Sequence, residues 1–209
     1  MNNQKNISEL LNGQKIVPVV VIEDDAQALG LPQALIDGGI TVIEITLRSE
    51  FAISAISKVK TQFPKMTVLA GTVTSAEQLV AAVEAGAEGI ISPGFTEALA
   101  EQARKSGVPY LPGVATASEI LLANQHGITE FKLFPANIAG GVGALKGFAG
   151  PFQDFKFCPT GGVSADNYQE FLALDNVMCV GGSWLAPKQA TRAGDWSAIT
   201  KLCKDALSA

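Results

Sequence analysis

Eight short apolar runs, most of them rich in β-branched residues, constrain this chain more than anything else in it. They are Ile16 to Ile22, Val42 to Leu47, Thr67 to Val73, Gly89 to Gly94, Pro109 to Val114, Glu130 to Ala136, Lys156 to Val163 and Val177 to Trp184, and their starts fall 20 to 26 residues apart. A run such as Ile16-Val17-Pro18-Val19-Val20-Val21-Ile22 is too apolar for a strand with one wet face. Strands buried on both faces belong to parallel sheets, which need a crossover between successive strands. The intervening segments supply it. They are amphipathic and rich in Ala and Leu, two open on the capping-box patterns Thr74-Ser75-Ala76-Glu77 and Thr116-Ala117-Ser118-Glu119, and several end on glycine, as at Gly38, Gly86, Gly107 and Gly127. Residues 6–12 add a short leading helix, with Asn6 or Ser8 as its cap. Eight strand–helix units predict an α/β fold, a (β/α)8 TIM barrel forming a single domain over 1–209. A doubly wound open sheet is the alternative, but no GxGxxG follows the first run.

Composition narrows the function. A chain that is 47% hydrophobic and 17% charged has the makings of a core, and a net charge of -5 argues against a nucleic-acid partner. No stretch reaches the roughly 18 uninterrupted apolar residues of a spanning helix, and none reads as a basic amphipathic membrane binder. Met1-Asn2-Asn3-Gln4-Lys5 lacks the apolar core of a signal peptide, so a cytoplasmic protein is expected. Cys158, Cys179 and Cys203 are odd in number and widely spaced, which suits buried, reduced thiols. The single histidine, His126, sits at a helix end beside Gly127. A three-histidine metal site cannot be built from it, so no metal and no cofactor are expected, and chemistry falls to Lys, Glu, Arg and hydroxyls.

Lys132 is the first candidate, alone in the aromatic run Glu130-Phe131-Lys132-Leu133-Phe134-Pro135-Ala136. Burial disfavours an ammonium, and a free amine can attack a carbonyl to form a Schiff base. The plainer reading is a lysine snorkelling to solvent from a strand end. In the second run, period-two alternation puts Ile43, Ile45 and Leu47 on one face and Glu44, Thr46 and Arg48 on the other. The apolar face should meet helices, so the polar row should point inward, toward Lys132. A self-satisfied Glu44–Arg48 ion pair is the competing structural reading. Thr72 offers a hydroxyl after the third run, and Ser92-Pro93-Gly94 shapes the loop after the fourth. Gly161-Gly162 and Gly181-Gly182-Ser183 end the seventh and eighth runs, where this architecture commonly binds phosphate through backbone N–H groups. Tight turns without a ligand are their plainer reading.

Together these motifs resemble the 2-keto-3-deoxy-6-phosphogluconate (KDPG) aldolase, or 4-hydroxy-2-oxoglutarate (KHG) aldolase, family. The matching stretches are Glu44-Ile45-Thr46-Leu47-Arg48, Gly71-Thr72-Val73, Ser92-Pro93-Gly94, the Lys132 run, Cys158-Pro159-Thr160-Gly161-Gly162 and Gly181-Gly182-Ser183-Trp184. The resemblance implies a class I aldolase and a homotrimer. It implies that Lys132 forms the Schiff base and that Glu44 is the general acid/base. Arg48 and Thr72 would bind the pyruvate carboxylate, Thr160 would line the pyruvate site and Phe134 would pack beside the imine. Gly161, Gly162, Gly182 and Ser183 would hold the phosphate of a small phosphorylated keto acid. The rival functions are the smaller substrate 4-hydroxy-2-oxoglutarate, a phosphosugar isomerase or epimerase, and a non-catalytic phosphometabolite binder.

Overall fold

The computed structural model describes residues 6–208, so the Met1 to Lys5 segment read above lies outside the described residues. A short helix α1 (Ile7–Leu10) leads into β1 (Ile16–Val20), and strands and helices then alternate: α2 (Asp25–Asp37), β2 (Val42–Thr46), α3 (Ala52–Gln62), β3 (Thr67–Gly71), α4 (Ala76–Glu84), β4 (Gly89–Ile91) and α5 (Glu97–Ser106). The fifth run divides into β5 (Tyr110–Leu111) and β6 (Gly113–Val114), followed by α6 (Ala117–Asn124), β7 (Glu130–Leu133), α7 (Gly141–Ala149), β8 (Lys156–Pro159), α8 (Tyr168–Leu172), β9 (Val180–Gly182), α9 (Lys188–Ala193) and α10 (Trp196–Ser208). The order β5-β4-β3-β2-β1-β9 makes a curled half-barrel, and β6-β7-β8 forms a second sheet; every pairing is parallel. The fold is thus α/β with a parallel sheet.

The break in the fifth run has a local cause. Pro112 has no N–H for a ladder, so β5 pairs with β4 before it and β6 pairs with β7 after it. At the other junction, isolated bridges Phe157↔Val177 and Thr160↔Gly181 link β8 to the segment containing β9. Regular strand is also shorter than the apolar runs, because the residues after Pro159 and around Val177 serve as loop.

Local signals mostly act as read, with two corrections. Thr116 and Glu119 form the capping box of α6. In α4 the box is displaced by one residue: Ser75 is the N-cap and accepts from Gln78 N–H, while the Gln78 side chain reaches back to Thr74 N–H. Neither Asn6 nor Ser8 caps α1 through its side chain. Ser8 instead donates its backbone N–H (3.0 Å) and its hydroxyl to the buried carboxylate of Glu130. That contact ties α1 to the N-terminal end of β7, where an unpartnered carboxylate would be costly.

What positions the site is the outward face of β7. Phe131 and Leu133 are fully buried; Phe131 packs on Phe155 and Phe157, which continue to Phe148 on α7. With these aromatics outward, strand alternation turns Glu130 and Lys132 inward. Strand β2 does the same: Ile43 and Ile45 are fully buried, and Glu44 and Thr46, each 1% exposed, face the interior. All three cysteines are free and buried. Among the described residues no helix is long and apolar enough to cross a membrane, and no group of three His, Cys, Asp or Glu could hold a metal ion.

Candidate active site

A cavity of about 380 Å³ opens where the C-terminal ends of the strands meet. It is lined by all ten residues singled out in the sequence, Glu44, Arg48, Thr72, Lys132, Phe134, Thr160, Gly161, Gly162, Gly182 and Ser183. Val19, Thr46, Pro93 and Val163 complete the wall. A cavity of about 420 Å³ lies at the opposite strand ends, near α1 and α5. Its buried carboxylate, Glu130, is already satisfied by Ser8, and His126 at its rim rests on Phe95.

At the centre of the first cavity, Lys132 Nζ lies 3.0 Å from Glu44 Oε1, with both side chains almost wholly buried. The same nitrogen stands 5.1 Å from the centroid of the Phe134 ring, a cation–π distance. The lysine therefore does not snorkel to solvent. The partner of Glu44 is Lys132, not Arg48, and among the described residues Arg48 enters no ion pair. An unpaired guanidinium in a cavity wall is a ready fork for a carboxylate.

Glu44 reaches Lys132 only because of Gly71 on the neighbouring strand. A Cβ at residue 71 would sit 2.2 Å from Glu44 Oε1 and 2.6 Å from its Cγ. The space left by the missing side chain is used by the carboxylate. Thr72 itself has φ +58°, a strained conformation for a β-branched residue. Its neighbours hold it there, with Leu47 N–H donating to Gly71 O (2.8 Å) and Val73 N–H to Ile91 O (3.1 Å).

The loops after β7 and β8 are fastened to each other: Ala136 N–H donates to Thr160 O (2.8 Å) and Asn137 N–H to Gly161 O (3.0 Å). Asn167 holds the Gly162 carbonyl at 3.0 Å. Gly161 and Gly162 have φ of +92° and +80°, a backbone that side chains rarely adopt. Their carbonyls are occupied, Gly161 O by Asn137 N–H and Gly162 O by the Asn167 side chain. Gly182 is covered by the Trp184 ring, which a Cβ there would meet at 1.8 Å. Pro93 reaches the wall because Ser92 Oγ donates to Gly94 O (2.6 Å) and because Gly113 leaves space for Pro93 O, 2.1 Å from where a Cβ would lie. Burial pushes Tyr110, the partner of Ser92, up to about 12.

Beneath the lysine, Cys158 is opposite Lys132 in the β7–β8 register. A hydrogen bond from Cys179, chiefly, and then the Lys132 charge hold the Cys158 thiol below its ordinary value, against the effect of burial. That same hydrogen bond, and then burial, push Cys179 well above it. Sequence reasoning missed Val19 and Val163 as lining residues and the role of Gly71. Only the β1–β2 neighbourhood could have pointed to Val19, and nothing local marks Gly71 as the glycine beneath Glu44.

Gly71→Ala should displace the Glu44 carboxylate while leaving the strands intact. A misplacement of about 1 Å costs on the order of 10²-fold in turnover, measured as kcat in a variant with an unaltered circular dichroism spectrum. Unchanged kcat would mean that the carboxylate does not need its observed position.

Comparisons with known proteins agree on one family. The model for KDPG and KHG aldolases matches residues 7–202. The KHG/KDPG aldolase of Escherichia coli K12 is 46% identical over 208 residues, covering 99% of this chain and 98% of that protein. The 2-dehydro-3-deoxy-phosphogluconate aldolase of Pseudomonas aeruginosa is 47% identical, covering 96% and 91%. A solved structure of KDPG aldolase from Legionella pneumophila, with pyruvate captured as a covalent carbinolamine intermediate, superposes with a TM-score of 0.94 at 43% identity, covering 97% of this chain and 98% of that one. With a lysine–glutamate pair buried at the strand ends and these relatives spanning nearly its whole length, the chain belongs to the KDPG and KHG aldolase family.

Proposed function

We propose that this protein is a class I aldolase that cleaves 2-keto-3-deoxy-6-phosphogluconate to pyruvate and glyceraldehyde 3-phosphate. The observation that carries this reading is the buried contact of Lys132 Nζ with Glu44 Oε1, inside a cavity whose guanidinium, Arg48, is unpaired. Breaking the C3–C4 bond of a 2-keto-4-hydroxy acid leaves an electron pair on C3, and a neutral ketone is a poor sink for it. A protonated imine is a far better one. To form it, the ammonium of Lys132 must first lose a proton, and Glu44, at 3.0 Å, is the base within reach. Lys132 then attacks C2, and a proton returned from Glu44 helps the carbinolamine lose water. As the C3–C4 bond breaks, Glu44 takes the C4 hydroxyl proton through a water. It then delivers a proton to C3 of the enamine, and hydrolysis frees pyruvate and Lys132.

The other assignments follow the chemistry of the wall. Arg48 and the Thr72 hydroxyl hold the carboxylate, Thr160 lines the pyruvate site and Phe134 flanks the imine. Gly161, Gly162, Gly182 and Ser183 hold the phosphate. An adjoining groove of about 480 Å³ shares Val19, Arg48 and Ser183 with the cavity and adds Lys188, Arg192 and Glu23; with Arg192 answered by Glu23, Arg48 and Lys188 make the approach favour anions. Arg192 is held by Glu23 through two hydrogen bonds of 2.8 and 2.9 Å. The dual name of the Escherichia coli relative favours one second reading, use of 4-hydroxy-2-oxoglutarate to give pyruvate and glyoxylate.

For the chain as a whole we propose a single domain, a closed (β/α)8 barrel, in a cytoplasmic protein. Supporting closure are the bridges from β8 toward β9 and the shared fifth run, which runs from one sheet into the other across Pro112. The assembly is a homotrimer, for which exposed Leu121, Leu122 and Ile138 offer apolar surface. Light scattering should return three times the 21.7 kDa of one chain; a monomer mass refutes the trimer.

Pyruvate with borohydride should inactivate the protein and leave one reduced pyruvate on Lys132, located by peptide mapping. An adduct elsewhere, or none, sinks the aldolase reading. The phosphate assignment needs a different variant. Gly162→Asp is unsuitable, since a Cβ there meets the Asn137 side chain at 2.5 Å and φ is +80°. Ser183→Asp adds a like charge at an exposed wall position without that strain. It should lower kcat/KM for the phosphorylated substrate by about 10²-fold, with trapping of pyruvate on Lys132 retained. Equal use of the phosphorylated substrate before and after the change would hand the leading place to 4-hydroxy-2-oxoglutarate.

A further inference from the structure

We infer that Thr46 is a positioning residue that aims Arg48 at the substrate carboxylate. This rests on the aldolase reading above, but its evidence is separate. Thr46 lies midway along the inward row of β2, 1% exposed, between Glu44 and Arg48. Its hydroxyl donates to Val20 O on β1 at 2.8 Å and accepts from Arg48 Nε at 3.2 Å. A hydroxyl has one proton to give, and here it is given to a backbone carbonyl. Thr46 therefore has no proton left for a substrate, and its free electron pairs face the guanidinium.

The two hydrogen bonds form a relay from the sheet to the cavity. Val20 belongs to β1, and its register partner on β2 is Ile45, next to Thr46, so the hydroxyl is fixed relative to two strands at once. Arg48 lies beyond the end of β2, where its backbone N–H turns back to Thr46 O at 2.8 Å. No ion pair orients it among the described residues. Tying down Nε leaves the two terminal nitrogens for an incoming carboxylate and fixes the plane of the fork. Without that bond the long side chain samples many rotamers, and binding a keto acid must order it.

Thr46→Val keeps the shape and removes the acceptor. KM for the keto acid should rise about ten-fold, and so should the pyruvate concentration giving half-maximal borohydride trapping on Lys132. Turnover at saturation should stay within about three-fold, because the imine chemistry is untouched. Thr46→Ser should restore KM, and Thr46→Cys, a weaker acceptor, should fall between. In an Arg48→Ala background, Thr46→Val should change KM by less than about two-fold, since its effect runs through the arginine. A loss that adds fully to that of Arg48→Ala, a serine variant no better than valine, or an unchanged KM overturns the proposal. Wild-type protein that traps no pyruvate overturns the aldolase reading itself; wild-type trapping beside an unaffected Thr46→Val overturns only this one.

Discussion

The interior of this protein depends on one contact, the 3.0 Å approach of Lys132 Nζ to Glu44 Oε1. Moving two charges out of water costs several kcal/mol per ion, and their attraction repays that only with good geometry. As a source of stability such a pair is a poor bargain against two packed aliphatic side chains. As chemistry it is efficient, because it stores a nucleophile beside the base that must unmask it. Removing one partner would strand the other, at roughly 3–5 kcal/mol, so each residue is also a structural condition for its neighbour.

Much of the surrounding construction exists to let side chains cross the strand ends. Three glycines show how. Gly71 leaves room for the Glu44 carboxylate, Gly113 for the Pro93 carbonyl and Gly181 for the Thr160 hydroxyl, which a Cβ would meet at 2.3 Å. In each case the small residue sits on one strand and the group it admits belongs to another strand or to the residues just after it. Their value is absent volume, seen only from the neighbouring strand. The fastening of the β7 and β8 loops adds order in the same region: Ala136 and Asn137 bond to the carbonyls of Thr160 and Gly161, so the lysine-bearing segment and the proposed anion loop are held as one piece.

These facts explain which features the sequence could disclose. Alternation along a strand is local, so the inward row of Glu44, Thr46 and Arg48 was legible, as was a lysine between aromatics whose outward packing turns it inward. Loop glycines at the seventh and eighth strand ends were legible because the architecture assigns those loops a place. Pairing between strands is not local. A carboxylate next to a guanidinium in one motif suggested that the two might bind each other, yet Glu44 crosses Gly71 to reach a lysine 88 residues away. The same limit hid Ser8, read as a cap but used by a carboxylate 122 residues distant. Pro112 was visible, but its consequence, a strand shared between two sheets, depends on which partners flank it.

Charge counting gives these contacts a common direction. Glu130, in the cavity at the opposite strand ends, is met by two donors from Ser8, and Glu44 by Lys132, so both buried carboxylates are answered within the chain. Arg48 is not; its Nε is held by a neutral hydroxyl. The cavity wall therefore carries one uncompensated positive charge, at the exposed Arg48, in a protein whose formal net charge is -5. A keto acid brings the missing negative charge and places its carbonyl within reach of the amine when its carboxylate meets the fork. Binding thus completes the charge balance before any bond is made, and the lysine can give up its proton to Glu44 without leaving a net charge in the low-dielectric interior.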